Sequence, residues 1–111
     1  MYLTREATEA TLSQTASLAT GSTLAMTFIQ PLELVATEEQ ALHQATNAAA
    51  RASGTPFISY YAPDEIVAMA RDAGFTTATH VTADDYATRY FADRTDGLRP
   101  FGTEELLVAT T

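Results

Sequence analysis

The sequence predicts an α/β domain whose elements run helix, strand, helix, helix, strand, short helix, strand. Three observations predict it. Stretches with helix start signals and glycine stops alternate with short apolar runs of strand length. The run Ser22-Thr23-Leu24-Ala25-Met26-Thr27-Phe28-Ile29-Gln30 has no strongly polar face, as in a strand covered on both sides. No repeat, flexible linker or low-complexity tract divides the chain, so residues 1–111 form a single domain.

Thr4 is the candidate N-cap of the first helix, Glu6 and Glu9 suit its positive end, and Gly21 is its stop. Its apolar positions (Ala7, Ala10, Leu12, Ala16, Leu18, Ala19) are small enough for close packing on a sheet. In the 22–30 strand Leu24, Met26 and Phe28 point one way, Ala25, Thr27 and Ile29 the other, and Pro31 ends it. A capping box, Thr37-Glu38-Glu39-Gln40, opens a second, alanine-rich helix that runs to about Ser53 with Gly54 as its stop. Residues 55–61 form an aromatic connector. The third helix starts at Pro63, a favoured first helical position, carries Asp64 and Glu65 in its first turn, and closes at Gly74. Residues 75–81 read as a strand. Thr82-Ala83-Asp84-Asp85 caps a short helix to about Phe91, the 93–102 loop holds Gly97, Pro100 and Gly102, and residues 104–110 make the last strand.

Composition excludes several kinds of chemistry. With 14 acidic and six basic side chains the net charge is −8, which argues against a broad phosphate-neutralising face and so against nucleic acid as a partner. The absence of cysteine removes disulfides, zinc–thiolate sites and thiol nucleophiles. All six basic residues are arginine (Arg5, Arg51, Arg71, Arg89, Arg94, Arg99), so no lysine can form a Schiff base or serve a P-loop. No apolar run is long enough for a membrane span and the N-terminus is not a signal peptide, so a soluble cytoplasmic protein is expected, without a membrane partner. The scattered carboxylates read as a solvated surface.

The side chains that remain give few sites. His43 and His80 lie far apart with no second ligand at helical spacing, so no metal site is indicated. His43 falls in a polar stretch and is expected to be exposed. His80, near a strand end, reads as a structural histidine or a base. The acidic pairs, Glu104-Glu105 among them, read as helix N-terminal charges or exposed strand ends. No serine has a Gly-x-Ser-x-Gly context, and no glycine-rich turn follows a strand to cradle a nucleotide. Two segments carry more chemistry than a scaffold needs. One is Phe57-Ile58-Ser59-Tyr60-Tyr61. The other runs from Arg89-Tyr90-Phe91 to Arg99-Pro100, and it reads either as a salt-bridged corner with its aromatics in the core or as a polar lid over a substrate.

Several motifs recur in one order along the chain: Met1-Tyr2-Leu3-Thr4, Gly21-Ser22, Pro56-Phe57-Ile58-Ser59-Tyr60-Tyr61-Ala62-Pro63-Asp64-Glu65, Ala73-Gly74-Phe75, Arg89-Tyr90-Phe91 and Asp96-Gly97-Leu98-Arg99-Pro100. Together they resemble the C-terminal half of an S-adenosylmethionine-dependent methyltransferase of the leucine carboxyl methyltransferase-like family, including its bacterial O-methyltransferase branch. The resemblance implies a partial Rossmann-like class I methyltransferase fold: a three-stranded mixed sheet corresponding to the fifth, seventh and sixth strands of a seven-stranded one. In it the last strand lies antiparallel between the other two, helices flank the sheet, and the cofactor-binding half is missing. Met1 to Thr4 then follows the position of a fourth strand, and the second helix with the connector matches an insertion over the substrate pocket. Tyr2 is the one residue implied to border the cofactor. Tyr60, Tyr61, Arg89 and Tyr90 are the candidates for the acceptor pocket, where an arginine would suit a carboxylate through a bidentate pair.

The family's Gly-x-Gly-x-Asp motif has no counterpart here, so S-adenosylmethionine serves the complete enzyme and is not expected to bind this chain tightly. The 22–30 strand, deprived of its neighbour, is left as an apolar edge, which predicts a homodimer joined through the edge from Ser22 to Gln30. Two functions follow: the substrate-side half of a methyltransferase for a small-molecule or carboxylate acceptor, inactive alone, or a stand-alone dimeric, non-enzymatic module that binds a small molecule or a partner protein.

Overall fold

The computed structural model describes all 111 residues. The regular elements are α1 (Arg5–Ala16), β1 (Thr23–Ile29), α2 (Gln40–Ala52), α3 (Pro63–Asp72), β2 (Thr77–Val81), α4 (Ala83–Tyr86) and β3 (Glu104–Thr110). They form an α/β arrangement around a three-stranded sheet of order β1-β3-β2. β3 is antiparallel to both neighbours, so the sheet is antiparallel in every pairing rather than mixed. β1 and β2 run the same way, but β3 separates them.

The register decides which face is buried. Met26 lies opposite Leu107, Leu24 opposite Ala109 and Phe28 opposite Glu105, while Ala78 faces Ala109 from the other side. These side chains share the face that carries the core, where Phe28, Leu107, Ala109 and Ala78 meet Leu12 of α1, Ile66 and Ala70 of α3, Tyr61 and Phe75. The opposite face is less covered than expected. Ala25 and Thr27 on β1 and Thr77 and Thr79 on β2 are exposed. Both α1 and α3 pack on the first face, and α2 does not close on the second: a cavity of about 390 Å³ lies between Thr27 and Leu106 of the sheet and Leu42 and Thr46 of α2.

Most helix ends follow local chemistry. Thr4 Oγ1 accepts the Ala7 amide at 3.2 Å, capping α1. The helix stops at Ala16, short of Gly21, because Ser17 turns both its amide and its hydroxyl back onto the Gln14 carbonyl. Gly21, at φ +85°, instead makes the turn into β1 and donates to the Thr111 carbonyl at 3.1 Å. Pro63 opens α3 as expected, with the Glu65 carboxylate accepting the Ala62 amide at 3.2 Å. At α4 the Thr82 hydroxyl accepts the Asp85 amide at 3.1 Å and the Asp85 carboxylate accepts the Thr82 amide at 2.9 Å. Those bonds from Thr82, amide first and hydroxyl second, hold the Asp85 carboxyl below the usual carboxylate range. The cap is therefore present above the ordinary aspartate range and is lost as pH falls through the lowered value. After α4 the chain continues as a π-helical turn, Ala87–Phe91.

The capping box expected at α2 does not form. Residues Thr37–Glu39 make one 3₁₀ turn with no side-chain cap, and α2 begins at Gln40. The Gln40 side-chain Nε2 donates to the Val35 carbonyl at 3.0 Å, and the Glu39 carboxylate accepts the Gly102 amide at 3.2 Å. The side chain that would close the box is that of Gln40, and it is engaged with the Val35 carbonyl instead. No helix is long and apolar enough to cross a membrane.

Candidate functional site

α2 presents His43, Asn47 and Arg51 four residues apart, hence on one face. Across from them lie Pro31, Leu32 and Glu33 after β1, and Tyr60 of the connector joins the same cavity of about 500 Å³. Its inner wall is fixed by a short relay. The Tyr60 hydroxyl donates to Asn47 Oδ1, and Asn47 Nδ2 donates to the His43 carbonyl at 3.0 Å. The Tyr60 and His43 rings meet edge to face, 6.1 Å between centroids and 61° apart.

His43 departs from its sequence expectation of exposure: only 4% of its surface is accessible. The helix face that carries it turns toward Tyr60 rather than toward water. Neither ring nitrogen makes a hydrogen bond within the chain, although no fully buried side-chain nitrogen or oxygen lacks a partner. The unbonded imidazole edge therefore reaches the cavity that His43 lines. The signal available in the sequence was the stripe His43-x-x-x-Asn47-x-x-x-Arg51 on an otherwise alanine-rich helix.

A second polar cluster sits at the carboxyl ends of β1 and β2, the end at which open α/β sheets hold their ligands. Glu105, expected at an exposed strand end, is 7% exposed because it faces the core side beside Phe28. Its Oε2 accepts from Gln30 Nε2 and meets His80 Nε2, each at 2.5 Å, and its Oε1 accepts the Ala83 amide at 3.3 Å. Of the two readings of His80, the geometry gives the structural one an explicit partner. Nearby, the Tyr86 hydroxyl donates to the Glu104 carbonyl at 2.7 Å. Burial pushes that phenol above its ordinary range, and the charges of Glu105, Glu104 and Glu39 push it further the same way.

The five residues singled out by sequence do not converge. Tyr60 lines the cavity under α2. Tyr61 is 1% exposed and belongs to the core: its hydroxyl donates to Thr8 Oγ1 at 3.0 Å, and the Arg5 guanidinium stands 5.8 Å from its ring centre. Arg89 and Tyr90 are exposed on the π-helical turn, with Tyr90 67% accessible, and neither lines the Tyr60 cavity. Tyr2 is exposed, its ring edge-on to Phe57 at 5.4 Å. The Met1 carbonyl accepts the Ile58 and Ser59 amides at 2.9 and 3.2 Å, so the first residues run along the connector. In the 89–100 segment Arg94 pairs with Asp96 and stands over Phe91, which makes that part a salt-bridged corner, but Tyr90 stays out of the core. Comparison of the chain with protein-family models, with curated proteins and with solved structures gives no match.

Proposed function

We propose that the chain is the substrate-side portion of an S-adenosylmethionine-dependent O-methyltransferase of the leucine carboxyl methyltransferase-like kind, acting in the cytoplasm on a small-molecule or carboxylate acceptor. The observation that carries this reading is the strand order. The last strand lies between the first and second, antiparallel to both, as the resemblance requires of a fifth, seventh and sixth strand. The cavity under α2 and the connector supports it too, because the implied insertion belongs over the acceptor. Tyr60 is the acceptor-side residue we retain.

The residues present do not fit the cofactor. β1 runs into Gln30 and Pro31, β2 into the Thr82 cap, and neither turn offers the glycine-rich backbone that a nucleotide-bearing ligand needs. The test is the reading frame upstream of Met1 together with calorimetry on the chain. An in-frame Gly-x-Gly-x-Asp segment, and no micromolar affinity of the chain alone for S-adenosylmethionine, are expected. A stop codon with no such motif, or micromolar binding, overturns the reading.

Self-association belongs to the same proposal. β1 pairs with β3 on one side only, leaving its other edge without a strand. A two-fold dimer joining two β1 edges would give one six-stranded sheet from two copies of the three-stranded one. Light scattering coupled to sizing at low micromolar concentration should return a dimer mass; a monomer across that range removes this part of the proposal.

A further inference from the structure

We infer that the cavity under α2 binds a singly charged oxyanion carried on an apolar body, a carboxylate or a sulfonate, and that this chain does so without any cofactor. At about 500 Å³ the cavity is within the roughly 300–1,000 Å³ of small-molecule sites. Its walls divide by chemistry. Pro31, Leu32 and Ala48 offer apolar surface, while His43, Gln44 and Arg51 offer hydrogen-bond donors.

The imidazole is the decisive group. His43 is 4% exposed and neither ring nitrogen bonds within the protein, yet no unpartnered side-chain nitrogen is fully buried, so the polar edge of the ring opens onto the cavity, where a ligand's acceptor can meet it. Tyr60 packs edge-on against it, and Asn47 holds the Tyr60 hydroxyl, so the ring is fixed in place while its polar edge stays free. Because neither nitrogen is bonded by the protein, the proton can occupy whichever one meets an acceptor.

Arg51 makes no ion pair, although the chain has 14 carboxylates to choose from. Two helical turns beyond His43, it places a planar fork of donors at the far end of the same face. The net charge of −8 repels anions in general, so an anion held here is held by local bonds and not by the field of the whole molecule. Glu33 on the opposite wall disfavours a second negative charge and restricts the ligand to one.

The test is amide chemical-shift titration of the chain with four probes: phenylacetate, benzenesulfonate, neutral phenylacetamide and doubly charged phenyl phosphate. Shifts confined to residues 32–33, 43–51 and 60 are expected with one or both monoanions, the stronger of the two identifying the oxyanion, and the amide and phosphate should bind much more weakly. Arg51→Gln should weaken the monoanion about tenfold, the usual scale of one lost charge-assisted bond. Arg51 is exposed, so that variant keeps the fold. His43→Phe keeps the ring and its packing and should also weaken binding. Shifts elsewhere, equal binding of the amide, or unchanged affinity in Arg51→Gln overturn the inference. The outcome is separable from the methyltransferase reading: monoanion binding without an upstream cofactor motif sinks only the latter, and the motif without binding sinks only the former.

Discussion

Phe28→Ala should lower the stability of the fold by about 3–5 kcal/mol, the cost of emptying a large aromatic site that cannot collapse. Phe28 is fully buried, opposite Glu105 in the ladder, and its ring lies 5.7 Å from that of His80 while it packs in the nine-residue core. A single domain holds only about 5–15 kcal/mol in total, so this variant should approach the unfolding threshold. Thr27→Ala, one residue earlier on the open face, is the control and should fall within about 0.5 kcal/mol of the parent. Urea unfolding followed by far-ultraviolet circular dichroism measures both. Equal midpoints for the two variants would mean that the helix-covered face does not carry the core.

Glu105→Ala should be destabilising through a different route, because the buried donors that converge on its carboxylate, Gln30 Nε2 and the Ala83 amide, would each be left short of an acceptor at about 1–3 kcal/mol. Gln30 would keep only a 3.4 Å contact to the Gly102 carbonyl, the Ala83 amide would lose its acceptor, and His80 would lose its carboxylate. Glu105→Gln, which retains an acceptor oxygen and the shape of the side chain, should be clearly milder than the alanine variant. The same urea series reads the difference. Parity between Glu105→Gln and Glu105→Ala would show that volume, and not the convergence of donors, sets the stability here.

Local signals in the sequence located the three strands and the main helices, and most failures lie where a distant partner intervenes. Pro63, Thr4, Thr82 and the positive-φ glycines Gly54 and Gly74 punctuate the chain where they were read to. The limits of β3 were legible as residues 104–110, whereas the burial of Glu105, read as an exposed strand end, was not. The Thr37 box does not form because Gln40, the side chain that would close it, bonds to the Val35 carbonyl. The coverage of β1 was overestimated because small apolar residues such as Ala25 look the same in sequence whether or not a helix lies over them. At the site, Tyr60 was legible as part of an aromatic cluster before a helix. His43 was not, since its burial depends on Tyr60, 17 positions on, folding back over α2. Tyr61 differs from Tyr60 only in which side of the connector it faces, and that choice is made by Thr8 on α1.

The placement of β3 also fixes the order of events when the chain is made. β1 and β2 never touch, and each has β3 as its sole partner in the sheet, with Thr23 paired to Thr110, 87 positions further on. Neither earlier strand can be zipped into a ladder until residues 104–110 have left the ribosome. A nascent chain thus carries β1 unpaired, and later β2 as well, until residues 104–110 emerge.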